Sequence, residues 1–349
     1  MRSHSIFRFL ETLFLGFVGG FIFSILNLPL PWVLGALTFV LIWQGLTKRE
    51  ALFPEPVKNS GFLTLGIYFG LYFTKETFLI VGPYFIPYII VTVFLIFMSI
   101  LIATYVSKFI QVDRITSVFS AIPGGLTEMA IASEALKANS SMVIIFQTVR
   151  LLTVLFIVPF AIVFAFSNGQ SDIGVSMNIE STPWGISALW FLIPILIGTW
   201  QRDLIPAGIV IIPLILTALI NIFIHQLPHI PQTLLICAQV AVGIGLGKRI
   251  SFEDLRVGGK YTLVYGGVTL LLIIISFGLG GILSYVTTLD LPTALLSVAP
   301  GGLIEMVLTA SLVGGDPAVV SSLQLTRLLV IIICVPPFLK WYFRHQVLN

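Results

Sequence analysis

The chain has 349 residues, of which 57% are hydrophobic and only 9% charged, whereas about a quarter of the residues of a soluble domain are charged. That composition, with a mean hydropathy of +1.07, excludes an ordinary soluble protein and makes the bilayer the expected solvent. A net charge of +3 without a basic arm or zinc-finger spacing excludes direct nucleic-acid binding.

In chain order, hydropathy predicts six segments in each half: 9–26, 30–47, 59–74, 80–107, 115–138 and 142–166, then 184–200, 204–224, 233–247, 260–286, 292–313 and 318–340. Arg2 and Arg8 precede the first segment as in a signal peptide, but the apolar run continues to Leu28 with no small-residue cleavage site, so it reads as a retained helix. Trp32 and Trp184 fall at segment ends and read as interfacial anchors. Thr74-Lys75-Glu76 and Ser251-Phe252-Glu253 read as helix N-caps with an acidic first turn. Cys237 and Cys334 lie singly inside apolar runs and read as small core residues, not a disulfide or a metal pair. His225 and His229 are four apart, but Pro228 and Pro231 argue against the regular helix a metal pair would need.

One offset of 177 residues aligns the two halves without a gap. It pairs Pro123-Gly124-Gly125-Leu126-Thr127-Glu128-Met129 with Pro300-Gly301-Gly302-Leu303-Ile304-Glu305-Met306, and Gln147 and Arg150 with Gln324 and Arg327. Upstream it pairs Asp113 with Asp290, Thr116 with Thr293, and Gly66 and Gly70 with Gly243 and Gly247. A register held this long is the signature of an internal duplication. The expected organisation is a first repeat over 1–172 with a hairpin at 115–138, a linker over 173–183, and a second repeat over 184–349 with a hairpin at 292–313.

The fifth segment of each half is split by Pro-Gly-Gly, which removes a backbone donor and breaks helical geometry. It is either a broken spanning helix or a re-entrant hairpin, and charge distribution discriminates between them, because Lys and Arg gather on the cytoplasmic side. If every segment crosses, nine basic residues fall inside and seven outside; if the split segments return to the side they entered, fifteen fall inside and only Lys75 outside. Arg150 and Arg327, the remaining two of 18, then lie within the membrane. The expected fold is therefore an all-α polytopic membrane protein of two inverted repeats, each of five transmembrane helices plus a Pro-Gly-Gly re-entrant or broken helix, with both termini cytoplasmic.

Interrupted helices in inverted repeats place substrate and ion sites near the midplane of secondary transporters. Charges at membrane depth are costly enough to mark function. Here they are Glu128, Arg150, Glu305 and Arg327, with Gln147 and Gln324 one helical turn before the arginines. The substrate- or ion-binding set is thus Pro123, Gly124, Gly125, Glu128, Gln147 and Arg150 with Pro300, Gly301, Gly302, Glu305, Gln324 and Arg327. Two readings stay open: Glu128–Arg150 and Glu305–Arg327 salt bridges that clamp hairpin to helix, or arginines that receive an anion while a glutamate carries the coupling proton or sodium. Asp113 and Asp290, each three residues before a Thr, read as caps at the hairpin mouths.

The duplicated Pro-Gly-Gly-Leu-x-Glu-Met with its downstream Gln-x-x-Arg-Leu-Leu resembles the AbrB duplication family of bacterial membrane proteins, over nearly the whole chain. The resemblance implies a location in the bacterial cell membrane and a distant likeness to the citrate, bile-acid and cation/proton antiporter groups. It also brings two labels, ammonia monooxygenase and regulator of gene expression. The first fits poorly, since the four histidines, at 4, 225, 229 and 345, sit at the termini or in one loop. The expectation is a non-enzymatic transporter or exporter of a small solute, anionic solutes included, with no cofactor and no metal. The alternative is a membrane sensor acting on gene expression through a partner protein. Expected partners are the lipid bilayer and the solute or ion, with a homodimer admitted.

Overall fold

The computed structural model describes residues 2–124, 126–134, 136–166, 186–205, 207–250 and 256–347. Those residues form α-helices joined by short loops, and no strand occurs among them. The helices are α1 (Arg2–Ile25), α2 (Pro31–Thr47), α3 (Glu55–Gly70), α4 (Lys75–Val81), α5 (Phe85–Val106), α6 (Arg114–Ala121), α7 (Leu126–Glu134) and α8 (Ser140–Phe166). They continue as α9 (Leu192–Trp200), α10 (Gly208–Phe223), α11 (Gln232–Lys248), α12 (Lys260–Val286), α13 (Leu291–Val298), α14 (Leu303–Leu312) and α15 (Pro317–Val347).

Among the described residues five helical stretches are long and apolar enough to cross a bilayer: Ile6–Ile25, Lys75–Val106, Ser140–Phe166, Lys260–Val286 and Pro317–Phe343. Their surfaces carry large apolar side chains, among them Phe14, Ile90, Phe164, Leu263 and Ile333. This is the inverse of a soluble helix and has lipid as its natural surround. The chain is an all-helical membrane protein. The helices α2, α3, α10 and α11 have 16 or 17 residues, the lower limit for a span.

The helices group into two compact units that cut across the sequence repeats. One comprises Met1–Leu79 with Asn168–Phe252, the other Ile80–Ser167 with Glu253–Asn349. In the first unit α2 packs on α11 and α3 on α10, while α1 packs on α2 and α9 on α10. A 177-residue offset relates α2 to α10 and α3 to α11, so it turns the α2–α11 pair into the α10–α3 pair and the two copies contact each other reciprocally. The fit is residue for residue. A Cβ on Gly66 would run into the carbonyl oxygen of Val210, and one on Gly243 into that of Val33, the same contact with the copies exchanged. Close backbone approach of this kind, through small residues, is how helices associate without a hydrophobic drive in lipid.

The second unit repeats the logic. Both α5 with α6 and α12 with α13 pack together, as do α6 and α7 on α8, and α13 and α14 on α15. Phe119, Ile122, Met129, Val143, Val268, Leu272 and Ile331 pack into one of its apolar clusters.

Several expectations need adjustment. Thr74 does precede α4, but Thr77 closes the cap, its Oγ1 accepting from the Thr74 N–H at 3.0 Å; the matching Ser251-Phe252-Glu253 lies outside the described residues. Cys237 and Cys334 are exposed on their helices, not in the core, because the outer face of a membrane helix is as apolar as its interior. Trp32 packs over Gly20 inside the first unit; Trp184 lies outside the described residues.

Candidate functional site

Each Pro-Gly-Gly sequence joins two half-helices too short to cross a membrane alone, α6 to α7 and α13 to α14. Asp113 and Asp290 cap them as expected, accepting from the N–H of Thr116 at 2.8 Å and of Thr293 at 3.1 Å. The same threonines fix the return of the chain. The Asn139 N–H, just past α7, donates to Thr116 Oγ1 at 2.9 Å, and the Asp316 N–H, just past α14, donates to Thr293 Oγ1 at 2.8 Å. The start of the first half-helix and the end of the second therefore meet, and each element is a helical hairpin.

Proline makes the break. Ile122 and Ala299 take extended backbone before it, with ψ of 128° and 134°, because the pyrrolidine ring disfavours helical geometry in the preceding residue. The chain then turns tightly, Gly124 N–H to Ile122 O and Gly301 N–H to Ala299 O, both at 2.8 Å. Side chains of the next helix compensate the missing amide. A helical N–H at 123 would have served the Phe119 carbonyl four residues back, and one at 300 that of Leu296. Instead Gln147 Nε2 donates to Phe119 O and Gln324 Nε2 to Leu296 O, each at 2.6 Å.

The arginines do the rest. Arg150 donates from Nη1 to Ile122 O and from Nη2 to Gly124 O at 3.1 Å. Arg327 donates from Nη1 to Val298 O and Ala299 O, and from Nη2 to Gly301 O at 2.7 Å and to Gln324 Oε1. Cations are favoured there because the carbonyl ends of α6 and α13 carry partial negative charge. The spacing Gln-x-x-Arg puts amide and guanidinium on one face of α8 or α15, one turn apart, which matches the reach of the broken strand of carbonyls.

The motif glycines and methionines are explained by the same geometry. The Met129 side chain occupies the space a Cβ on Gly124 would need, and Met306 does the same at Gly301. The Glu305 carboxylate folds back over Gly302, the residue preceding α14, toward the amide end of that half-helix.

The structure thus revises the Glu305–Arg327 salt-bridge reading. Arg327 is held by backbone carbonyls and Gln324, and the buried Glu305 carboxylate lies over Gly302 at the amide end of its own half-helix. The only ion pairs among the described residues are Glu55–Lys58 and Arg202–Asp203, far along the chain from the breaks. Gly125 and the side chain of Glu128 lie outside the described residues.

Pro123, Gly124, Gln147 and Arg150 come together with Pro300, Gly301, Gly302, Gln324 and Arg327 around one cavity of about 220 Å³. Glu305 is not part of its wall. Leu151, Leu303, Leu328, Ile331 and Ile332 supply an apolar remainder that polarity arguments did not single out. Two further residues were missed. Tyr88 donates to the Ser297 carbonyl at 2.8 Å, and Tyr265, its equivalent at the 177-residue offset, stacks on Phe146 with ring centroids 3.9 Å apart. The offset itself would have found them.

Fold and site define a class: an all-helical membrane protein with a duplicated Pro-Gly-Gly hairpin, each copy stapled by a Gln-x-x-Arg helix around a shared cavity. The chain belongs to the AbrB family, since residues 32–343 match the family described as "Transition state regulatory protein AbrB". Over 92% of this chain and 90% of its own length it is 21% identical to "Uncharacterized protein YhjN" of Bacillus subtilis (strain 168). No solved structure matches it.

Proposed function

We propose that the protein is a secondary transporter or exporter that moves a small solute, with anions favoured, by alternating access at the cavity between the two breaks. The observation that carries this reading is the convergence of both Pro-Gly-Gly turns and both guanidinium groups on one cavity, with no carboxylate among its described lining residues. Non-helical backbone at membrane depth is tolerated only where protein buries it or a wet cavity meets it, and duplicated breaks of this kind form the solute sites of transporters.

In this reading the hairpins are re-entrant, the chain crosses ten times, and the two repeats are inverted with both termini cytoplasmic in the cell membrane. Support comes from the fifteen-to-one distribution of basic residues and from the threonine bonds that return each hairpin to its start. Glu128 and Glu305 are the coupling candidates, and the reaction is translocation, with no bond made or broken.

The test is flux in proteoliposomes: saturable uptake driven by a proton or sodium gradient is expected, and Glu305→Gln should uncouple it. Unchanged, still ion-driven flux in both Glu128→Gln and Glu305→Gln would end the coupling role. The family description favours a second reading, a membrane sensor that acts on gene expression through a partner; specific solute binding with no flux in any gradient would select it.

A further inference from the structure

The two halves of the cavity are equivalent in sequence and unequal in bonding. A guanidinium has five N–H donors. Arg327 commits four of them, to the carbonyls of Val298, Ala299 and Gly301 and to Gln324 Oε1. Among the described residues Arg150 commits two, to Ile122 O and Gly124 O, and its Nε is buried without a partner there. Gln147 Oε1, the counterpart of the amide oxygen that holds Arg327, is likewise buried and unpartnered. Arg150 is nonetheless 91% buried, at 9% exposure, and it lines the cavity.

We infer that Arg150 is the anion receptor of this cavity, that Arg327 is a structural pin, and that the ligand is a compact monocarboxylate. This rests on the solute-binding reading above and deepens it. A buried cation with unfilled donors beside a cavity calls for an oxyanion, whose two oxygens fit the planar fork of guanidinium better than a spherical ion does. A single available guanidinium receives a single carboxylate. A dianion would need a second receptor, and Arg327 has four of its five donors engaged. The cavity of about 220 Å³ equals the liquid volume of about seven waters, room for a carboxylate with a short carbon chain. Leu151, Leu328 and Ile331 supply the apolar surface against which that chain would lie.

The experiment is calorimetric titration of the full-length protein, purified in detergent, with acetate, propionate, pyruvate and lactate, against succinate as dianion and lactamide as neutral isostere. At least one monocarboxylate should bind saturably, with succinate and lactamide weaker by on the order of tenfold. Arg150→Gln should weaken that binding by about tenfold or more while the protein still melts cooperatively; Arg150→Lys, which keeps the charge and loses the fork, covers the case in which the neutral variant fails to fold and should fall between. Arg327→Gln should lower the melting temperature by more than Arg150→Gln does. The inference is overturned if no monocarboxylate binds, if succinate binds tightest, or if both Arg150 variants retain wild-type affinity. Binding with the expected pattern but no flux would overturn the transport reading and leave the receptor assignment standing.

Discussion

The two hairpins are copies of one device, and the second is finished where the first is not. Around the second break Gln324 Oε1 holds Arg327, and the Tyr88 hydroxyl reaches Ser297. Around the first, Gln147 Oε1 and Arg150 Nε are buried without partners among the described residues, and the Tyr265 hydroxyl, beside Ser117, makes no close hydrogen bond there. The backbone differs in the same direction. Both hairpins end on a left-handed residue, at Gly314 with φ 73° in the second and at Lys137 with φ 59° in the first. Glycine adopts that conformation freely, whereas a side chain there costs about 1–2 kcal/mol. What both copies share, the amide and guanidinium staples on the broken carbonyls, makes the fold; what the first copy lacks is the remainder that would lock it. Incomplete satisfaction in a buried site is the place to look for a ligand or a motion.

The comparison is most severely tested at the arginines. Arg327→Ala strips donors from three carbonyls and from Gln324, and at roughly 1–3 kcal/mol per orphaned buried group it should cost at least about 3 kcal/mol. Arg150→Ala strips two and should cost about 2 kcal/mol. Denaturant unfolding in mixed micelles reads the difference, and equal losses would mean that the second copy is no better locked. A smaller effect is expected where the hairpins end: Lys137→Gly should stabilise by about 0.5–1 kcal/mol and Gly314→Ala should destabilise by about 1 kcal/mol, seen as opposite shifts in melting temperature. The smallest is at the tyrosines. Tyr88→Phe removes a buried bond worth about 1 kcal/mol, whereas Tyr265→Phe should lie within about 0.5 kcal/mol of wild type; a larger loss for Tyr265→Phe would reveal a partner for its hydroxyl and narrow the asymmetry.

Much of the molecule was legible because its constraints are local or periodic. Helix positions followed from apolar length, and most segment bounds lie within a few residues of the helices; the third begins at Glu55, four residues before the expected 59, where Pro54 and Pro56 start it. The duplication exposed the cavity residues, because Pro123, Gln147 and Arg150 recur in register with Pro300, Gln324 and Arg327. The pairing of Glu305 with Arg327 is absent among the described ion pairs for a physical reason. Opposite charges near each other in sequence space invite pairing, but Arg327 finds carbonyls left bare by proline, and Glu305 finds the amide end of α14, so each charge meets a backbone dipole instead of the other. Nothing in a string of residues announces which backbone groups a break leaves unserved.

The sequence by itself determined the solvent, the helices, the duplication and the short list of polar residues at depth, since bilayer thickness and proline chemistry act on contiguous residues. The tertiary structure alone decided that each half-helix pair folds back through a threonine, that glutamine and arginine stand in for the amide that proline removes, and that Arg327 makes more hydrogen bonds than Arg150, whose Nε has no partner among the described residues. Two copies of one motif read alike along the chain, and only the hydrogen bonds made in three dimensions among the described residues separate the more fully bonded copy from the less.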